Sequence, residues 1–128
     1  MLQVIFLSLG MLFSTSAFEQ STNDRILGQW TDEDHTRILE FVNNGSYYDA
    51  IIRKAEPYSL IGKKQISGLR YDKGNAYKGG TLYAIQKGKT ANCSAKLLSD
   101  DKLELKVSKG LASKSSVWTR INSKNAKK

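Results

Sequence analysis

Between Lys102 and Ser108, apolar and polar residues alternate without a break: Leu103, Leu105 and Val107 are separated by Glu104 and Lys106. A period of two puts the three apolar side chains on one face of an extended chain, which predicts a strand with one buried face. Asp100-Asp101 just before it suits a turn, because short carboxylates bond their own backbone. Residues 91–98 repeat the alternation, with Cys93, Ala95 and Leu97 sharing a face. Residues 76–86 form another strand, in which Gly79-Gly80 marks a bulge or a close backbone approach. A last strand spans 116–120, after a loop at 110–115.

The first part of the chain reads in the same way. Strands are predicted over 25–30, 36–42, 46–54 and 66–72. An acidic turn at 31–34 and the sequence Asn43-Asn44-Gly45 separate the first three; Asn and Gly tolerate the positive φ that tight hairpins demand. Pro57, the only proline, falls in a longer connection over 56–65. No stretch carries a long period of 3.6. Eight short strands at this spacing fit an all-β antiparallel meander closing into a small barrel, and closure removes exposed sheet edges.

The N-terminus has a different character. Residues 1–17 contain no charged side chain, and residues 4–13 form an apolar run too short to span a membrane. Thr15-Ser16-Ala17 follows with small residues, so a signal peptide cleaved after Ala17 is expected. The exported chain then begins at Phe18 and has no transmembrane segment. Residues 18–24 read as a flexible lead-in, 25–121 as a single barrel domain and 122–128 as a basic tail.

The net charge of +8 is unevenly placed. Residues 1–56 hold four Lys and Arg against eight Asp and Glu; residues 57–128 hold sixteen against four. A basic second part attracts anionic surfaces. Alternatively, its lysines keep outer strand faces soluble and unpaired.

Little catalytic chemistry is present. His35 is the single histidine and Cys93 the single cysteine, so neither a multi-histidine metal site nor an intramolecular disulfide can form. The carboxylates of 32–34 suit hard cations weakly, but an exposed acidic turn accounts for them. Cys93, aligned with Ala95 and Leu97, reads as a buried small hydrophobe rather than a nucleophile. No enzyme and no cofactor are expected. Strand aromatics beside lysines suit base stacking, but the exported N-terminus argues against a nucleic-acid partner.

Six motifs in order give the chain a family likeness. They are Gly28-Gln29-Trp30, Gly68-Leu69, 77–83 (Tyr-Lys-Gly-Gly-Thr-Leu-Tyr), Gly88-Lys89-Thr90 leading to Cys93, 102–106, and Trp118-Thr119-Arg120. In these the chain resembles the domain of unknown function numbered 2147, small exported bacterial proteins described as lipocalin-like or calycin-like barrels. The resemblance implies fold and export more than an activity. It departs at Ala84-Ile85, where the family usually has Asp-Pro, at Ala91, where it has an aromatic, and at Lys109-Gly110. In calycin-type barrels a Gly-x-Trp on the first strand packs under an Arg of the last. Trp30 and Arg120 are therefore the expected barrel-closing pair, the alternative being a plain core residue and a plain surface one.

Two functions are carried forward. The first is a non-catalytic module holding a small, partly apolar ligand in the barrel mouth, with Tyr83, Cys93 and Trp118 as candidate pocket residues. The second is an interaction protein meeting an anionic envelope surface through Lys96, Lys102 and Lys106.

Overall fold

The structure is a computed structural model describing residues 20–121. The expected signal segment and basic tail lie outside that range. Eight antiparallel strands follow one another around a closed barrel: β1 (Gly28–Thr31), β2 (Ile38–Asn44), β3 (Tyr47–Lys54), β4 (Lys64–Lys73), β5 (Ala76–Ala84), β6 (Lys89–Leu97), β7 (Lys102–Lys109) and β8 (Ala112–Ile121). The alternation that predicts β6 and β7 sets their register: Cys93 opposes Val107, Ala95 opposes Leu105 and Leu97 opposes Leu103. Trp30, Phe41, Ile52, Ile66, Leu69 and Tyr77 join them in one buried cluster. Each large aliphatic or aromatic side chain removed from water there contributes about 1.5–3 kcal/mol.

Both barrel ends are covered by 3-10 turns. One, Gln20–Ile26, lies at the end where the β2–β3, β4–β5 and β6–β7 turns gather, and delivers Ile26, fully buried, to the core. The other, Tyr58–Leu60, belongs to the opposite end and delivers Leu60, also buried. The interior is therefore a packed core rather than an open calyx.

The chain departs from its sequence pattern in three places. Residues 25–27 do not extend β1: the 3-10 turn runs through Ile26, and Gly28, at φ +116°, redirects the chain into the strand. The described part of the expected lead-in, 20–24, belongs to the same turn. Residues 85–86 leave β5 for a short 3-10 turn, Ile85–Lys87, ended by Gly88 in the left-handed region. The loop expected over 110–115 is a tight turn at Gly110-Leu111, and 112–115 already belong to β8. That part of β8 is exposed on both faces, so its residues need no apolar period.

Arg120 ties the first of these ends together. Its guanidinium donates to three main-chain carbonyls: Nη2 to Arg25 (2.6 Å), Nη1 to Leu27 (2.8 Å) and Nε to Asp100 (2.7 Å). Its Cζ lies 4.3 Å from the centroid of the Trp30 ring, whose Nε1 donates to the Ile26 carbonyl at 2.9 Å. A cation over an indole face contributes about 0.5–2 kcal/mol. Tyr77 and Tyr48 add bonds to the same turn, from their hydroxyls to the Asn23 carbonyl (2.7 Å) and the Asp24 carboxylate (2.6 Å).

Two substitutions test this packing. Arg120→Lys keeps the charge but loses the planar fork, so it should cost about 1–3 kcal/mol in urea denaturation; an unchanged midpoint would show that the three carbonyls find other partners. At the β5 bulge, a Cβ on Gly80 would stand 2.9 Å from Leu69 Cγ and Cδ2, and 3.3 Å from the Cys93 carbonyl. Because Leu69 is enclosed by the core, Gly80→Ala should lower stability by about 1–3 kcal/mol, read as a fall in melting temperature. A melt identical to the parent's would mean that Leu69 can retreat.

Candidate functional site

The three candidate pocket residues do not meet. Ile66 and Leu82 pair across β4–β5 and pack into the core, so the next residue on β5, Tyr83, faces outward. Its hydroxyl lies 2.9 Å from Ser67 Oγ, and Gln65 Nε2 donates to its carbonyl at 2.7 Å. Cys93 faces inward opposite Gly80 and is buried. Trp118 also faces the core, but in the cross-strand row of Leu103 rather than that of Cys93 and Val107. Its indole N–H donates to Ser116 Oγ at 2.9 Å. A strand's alternation separates Tyr83 from the other two, which simple proximity to the barrel mouth did not reveal.

The groups with nucleophilic or acid–base potential are committed to structure. Burial pushes the Cys93 thiol up to about 11, and among the described residues its hydrogen-bond partner is the Ser94 carbonyl, at 3.8 Å. His35 lies elsewhere, in the exposed β1–β2 turn, with φ 61°. Burial pushes the Tyr77 hydroxyl up to about 12, and burial together with the Asp24 carboxylate raises Tyr48 as well. Asp32 caps its own turn, accepting from the Thr36 and Arg37 main-chain N–H groups and from the Thr36 hydroxyl. Burial would raise its pKa, but these bonds outweigh that and lower it.

The lysine face on β6 and β7 is mixed in sign. Lys96 stands directly opposite Glu104, between Lys102 and Lys106 along β7. Lys102 Nζ donates to Thr119 Oγ1 at 3.0 Å. Lys106 borders a polar hollow beside the Gly79-Gly80 bulge, in which Cys93 shows only a small exposed fraction.

A more apolar concavity lies at the end covered by the Tyr58–Leu60 turn, on the outer rim where β4, β5 and β6 meet. It is a shallow, solvent-open depression of about 460 Å³ lined by Lys63, Lys64, Tyr83, Ala84, Ile85 and Lys89, with Gly88 and Thr90 completing the wall. Its volume is in the range of small-molecule sites, roughly 300–1,000 Å³. The Ile85–Lys87 turn shapes one side, because Gly88 at φ +64° reverses the chain within a single residue. On the other side Lys64 is drawn to the buried Asp49, with Nζ 3.2 Å from Oδ2. Asp49 also accepts from the Gly68 N–H (3.0 Å) and Asn44 Nδ2 (2.9 Å). Its burial alone would raise the carboxyl pKa, yet these partners hold it below the usual value. Among the described residues neither Lys63 nor Lys89 forms an ion pair.

Lys63 and Lys89 carry no sequence signal of their own. Ala84-Ile85 does, as a departure from the acid-and-proline pair usual in the resembling family. Among the described residues no helix is long and apolar enough to cross a membrane.

Two solved structures share the architecture. Protein HP1028 from the human pathogen Helicobacter pylori, described as belonging to the lipocalin family, superposes with a TM-score of 0.66 at 19% identity, over 80% of this chain and 86% of that one. A redesigned β-barrel superposes with a TM-score of 0.53 at 14% identity, over 78% of this chain and 95% of that one. At these identities both show the fold alone. No curated protein matches the chain. The family model described as an uncharacterized protein conserved in bacteria matches residues 28–120, from the glycine that opens β1 to the arginine that closes the barrel, and the chain belongs to that family, DUF2147.

Proposed function

We propose that the protein is an exported, non-catalytic binding module that holds a small amphiphile with an anionic head in the rim groove. One observation carries this reading: a concavity of about 460 Å³ with Tyr83, Ala84 and Ile85 as its apolar part and lysines on both flanks. The aliphatic and aromatic surface gains from covering a short hydrocarbon chain, and Lys63 and Lys89 supply charge for a carboxylate or a phosphate. Because the barrel interior is a packed core, the ligand sits on the rim rather than within the barrel.

Dodecanoate is a suitable probe. Titrated into isotope-labelled protein, it should shift amide resonances of residues 63–64 and 83–90 together, while those of the β7 core positions stay still. Reversing charge in Lys63→Glu/Lys89→Glu should weaken it about 3–10-fold, the scale of partly exposed ion pairs. A shift map that is empty, or centred on Cys93 and Leu105, would overturn the assignment.

Export rests on the uncharged, apolar run before Ala17. The chain recovered from its host's envelope fraction should have the intact mass of a polypeptide beginning at Phe18; a cytosolic chain retaining Met1 would refute export.

A further inference from the structure

We infer that the end of the barrel bearing the Tyr58–Leu60 turn docks on an anionic phospholipid bilayer, with Leu111, Tyr58 and Ile61 entering the interface. Leu111 stands at the tip of the β7–β8 turn with its whole side chain in water (108% exposed), while Tyr58 is 77% and Ile61 44% exposed on the β3–β4 connection. None of the three contributes to the core at these exposures, and a two-residue turn ordinarily takes small or polar residues. Single exposed apolar residues are unremarkable. Here, however, three sit on connections at one end of the barrel, and that end is also basic.

Lys109 and Lys114 flank the Leu111 turn, Lys63 follows Ile61, with Lys64 beyond it paired to Asp49, and Lys87 and Lys89 lie at the β5–β6 connection and the start of β6. Within those connections Glu56 is the only acidic residue. The acidic β1–β2 turn shares this end beside the β3–β4 connection, where Lys54 Nζ donates to the His35 carbonyl at 2.9 Å, but it stands back from the β7–β8 turn. The last β1 residue, Thr31, pairs with Thr119, and β8 continues from there to Ala112, a further reach of about 23 Å at strand rise. Lys109 Nζ donates to the Thr90 carbonyl at 2.9 Å, which keeps the projecting hairpin level with the β5–β6 connection. At the opposite end Asp24, Asp72, Asp100 and Asp101 are accompanied by Arg25, Lys73, Lys78 and Arg120, with Arg25 paired to Asp100 at 3.1 Å and Lys78 to Asp72 at 3.3 Å. What sets the Tyr58–Leu60 end apart is its lysines beside exposed apolar side chains, and a negative surface attracts them. Apolar anchors surrounded by lysines are the combination by which interfacial proteins bind anionic lipid, and the attraction fades beyond a Debye length.

Vesicle co-sedimentation tests this with the whole exported chain. Vesicles of phosphatidylcholine mixed with an equal amount of phosphatidylglycerol should pellet the protein; phosphatidylcholine alone should not, and added salt should release it. Leu111→Asp/Ile61→Asp places charges at the interface and should weaken binding about tenfold or more. Lys109→Glu/Lys114→Glu should abolish the preference for the anionic lipid. Leu98→Asp, at a comparably exposed leucine (49%) of the far end, should bind like the parent. Circular dichroism of each variant checks its fold. Failure of the parent to pellet, retained binding in Leu111→Asp/Ile61→Asp, or equal loss in Leu98→Asp would each overturn the docking. The rim groove's response to dodecanoate is read separately, on free protein, so either proposal can fail without the other.

Discussion

Closure of the ring is the constraint on which the rest of the structure depends, and its weakest seam is the shortest strand. β1 has four residues and meets β8 through three pairs, Gln29 with Ile121, Trp30 with Arg120 and Thr31 with Thr119. Elsewhere the strands are longer and the ladders mostly more extensive. So few backbone bonds would leave the edges of β1 and β8 free to part, and the side chains at the middle pair make up the difference. Arg120 reaches past the ladder to the Arg25 and Leu27 carbonyls just before the chain enters β1 and to the β6–β7 turn, while Trp30 is fully buried beneath it. A lysine in that place could satisfy fewer acceptors at a time, since its charge is a point rather than a fork.

Much of this was legible in the sequence because strands with one wet face advertise themselves. The alternation in β6 and β7 defines both strands and their inward faces, and Asn43-Asn44-Gly45 fixes the turn between β2 and β3. The Trp30–Arg120 contact was readable only through a family likeness, because it joins residues ninety positions apart and local patterning carries no such information. The 3-10 turn at the start of the domain was invisible for a related reason: Ile26 is buried by the barrel end it covers, not by a repeating face of its own. The upper part of β8 was missed because a strand solvated on both sides has no reason to alternate.

The candidate site is less legible. A pocket of Tyr83, Cys93 and Trp118 presumes that a barrel mouth gathers its lining from the inside. The interior is taken up by core packing, with Ile26 and Leu60 supplied from the two ends, so the concave surface that remains lies on the outer rim. There Ala84-Ile85 gives the groove its apolar character. The position had stood out as a departure from the family pattern, but a departure by itself does not say toward which chemistry the site has moved.

The overhanging part of β8 has one more consequence. Among the described residues, Ala112 to Val117 pair with β7 on one side and with no strand on the other. A row of unpaired main-chain groups is a template on which a second molecule can extend the sheet, and repetition of that step makes a filament. The residues there are Ser113, Lys114, Ser115 and Ser116, poor strand formers around a cation, so two such edges brought together would bury little and oppose like charge. A stretch that contributes nothing to the barrel's own core thus disfavours edge-to-edge pairing along that part of β8.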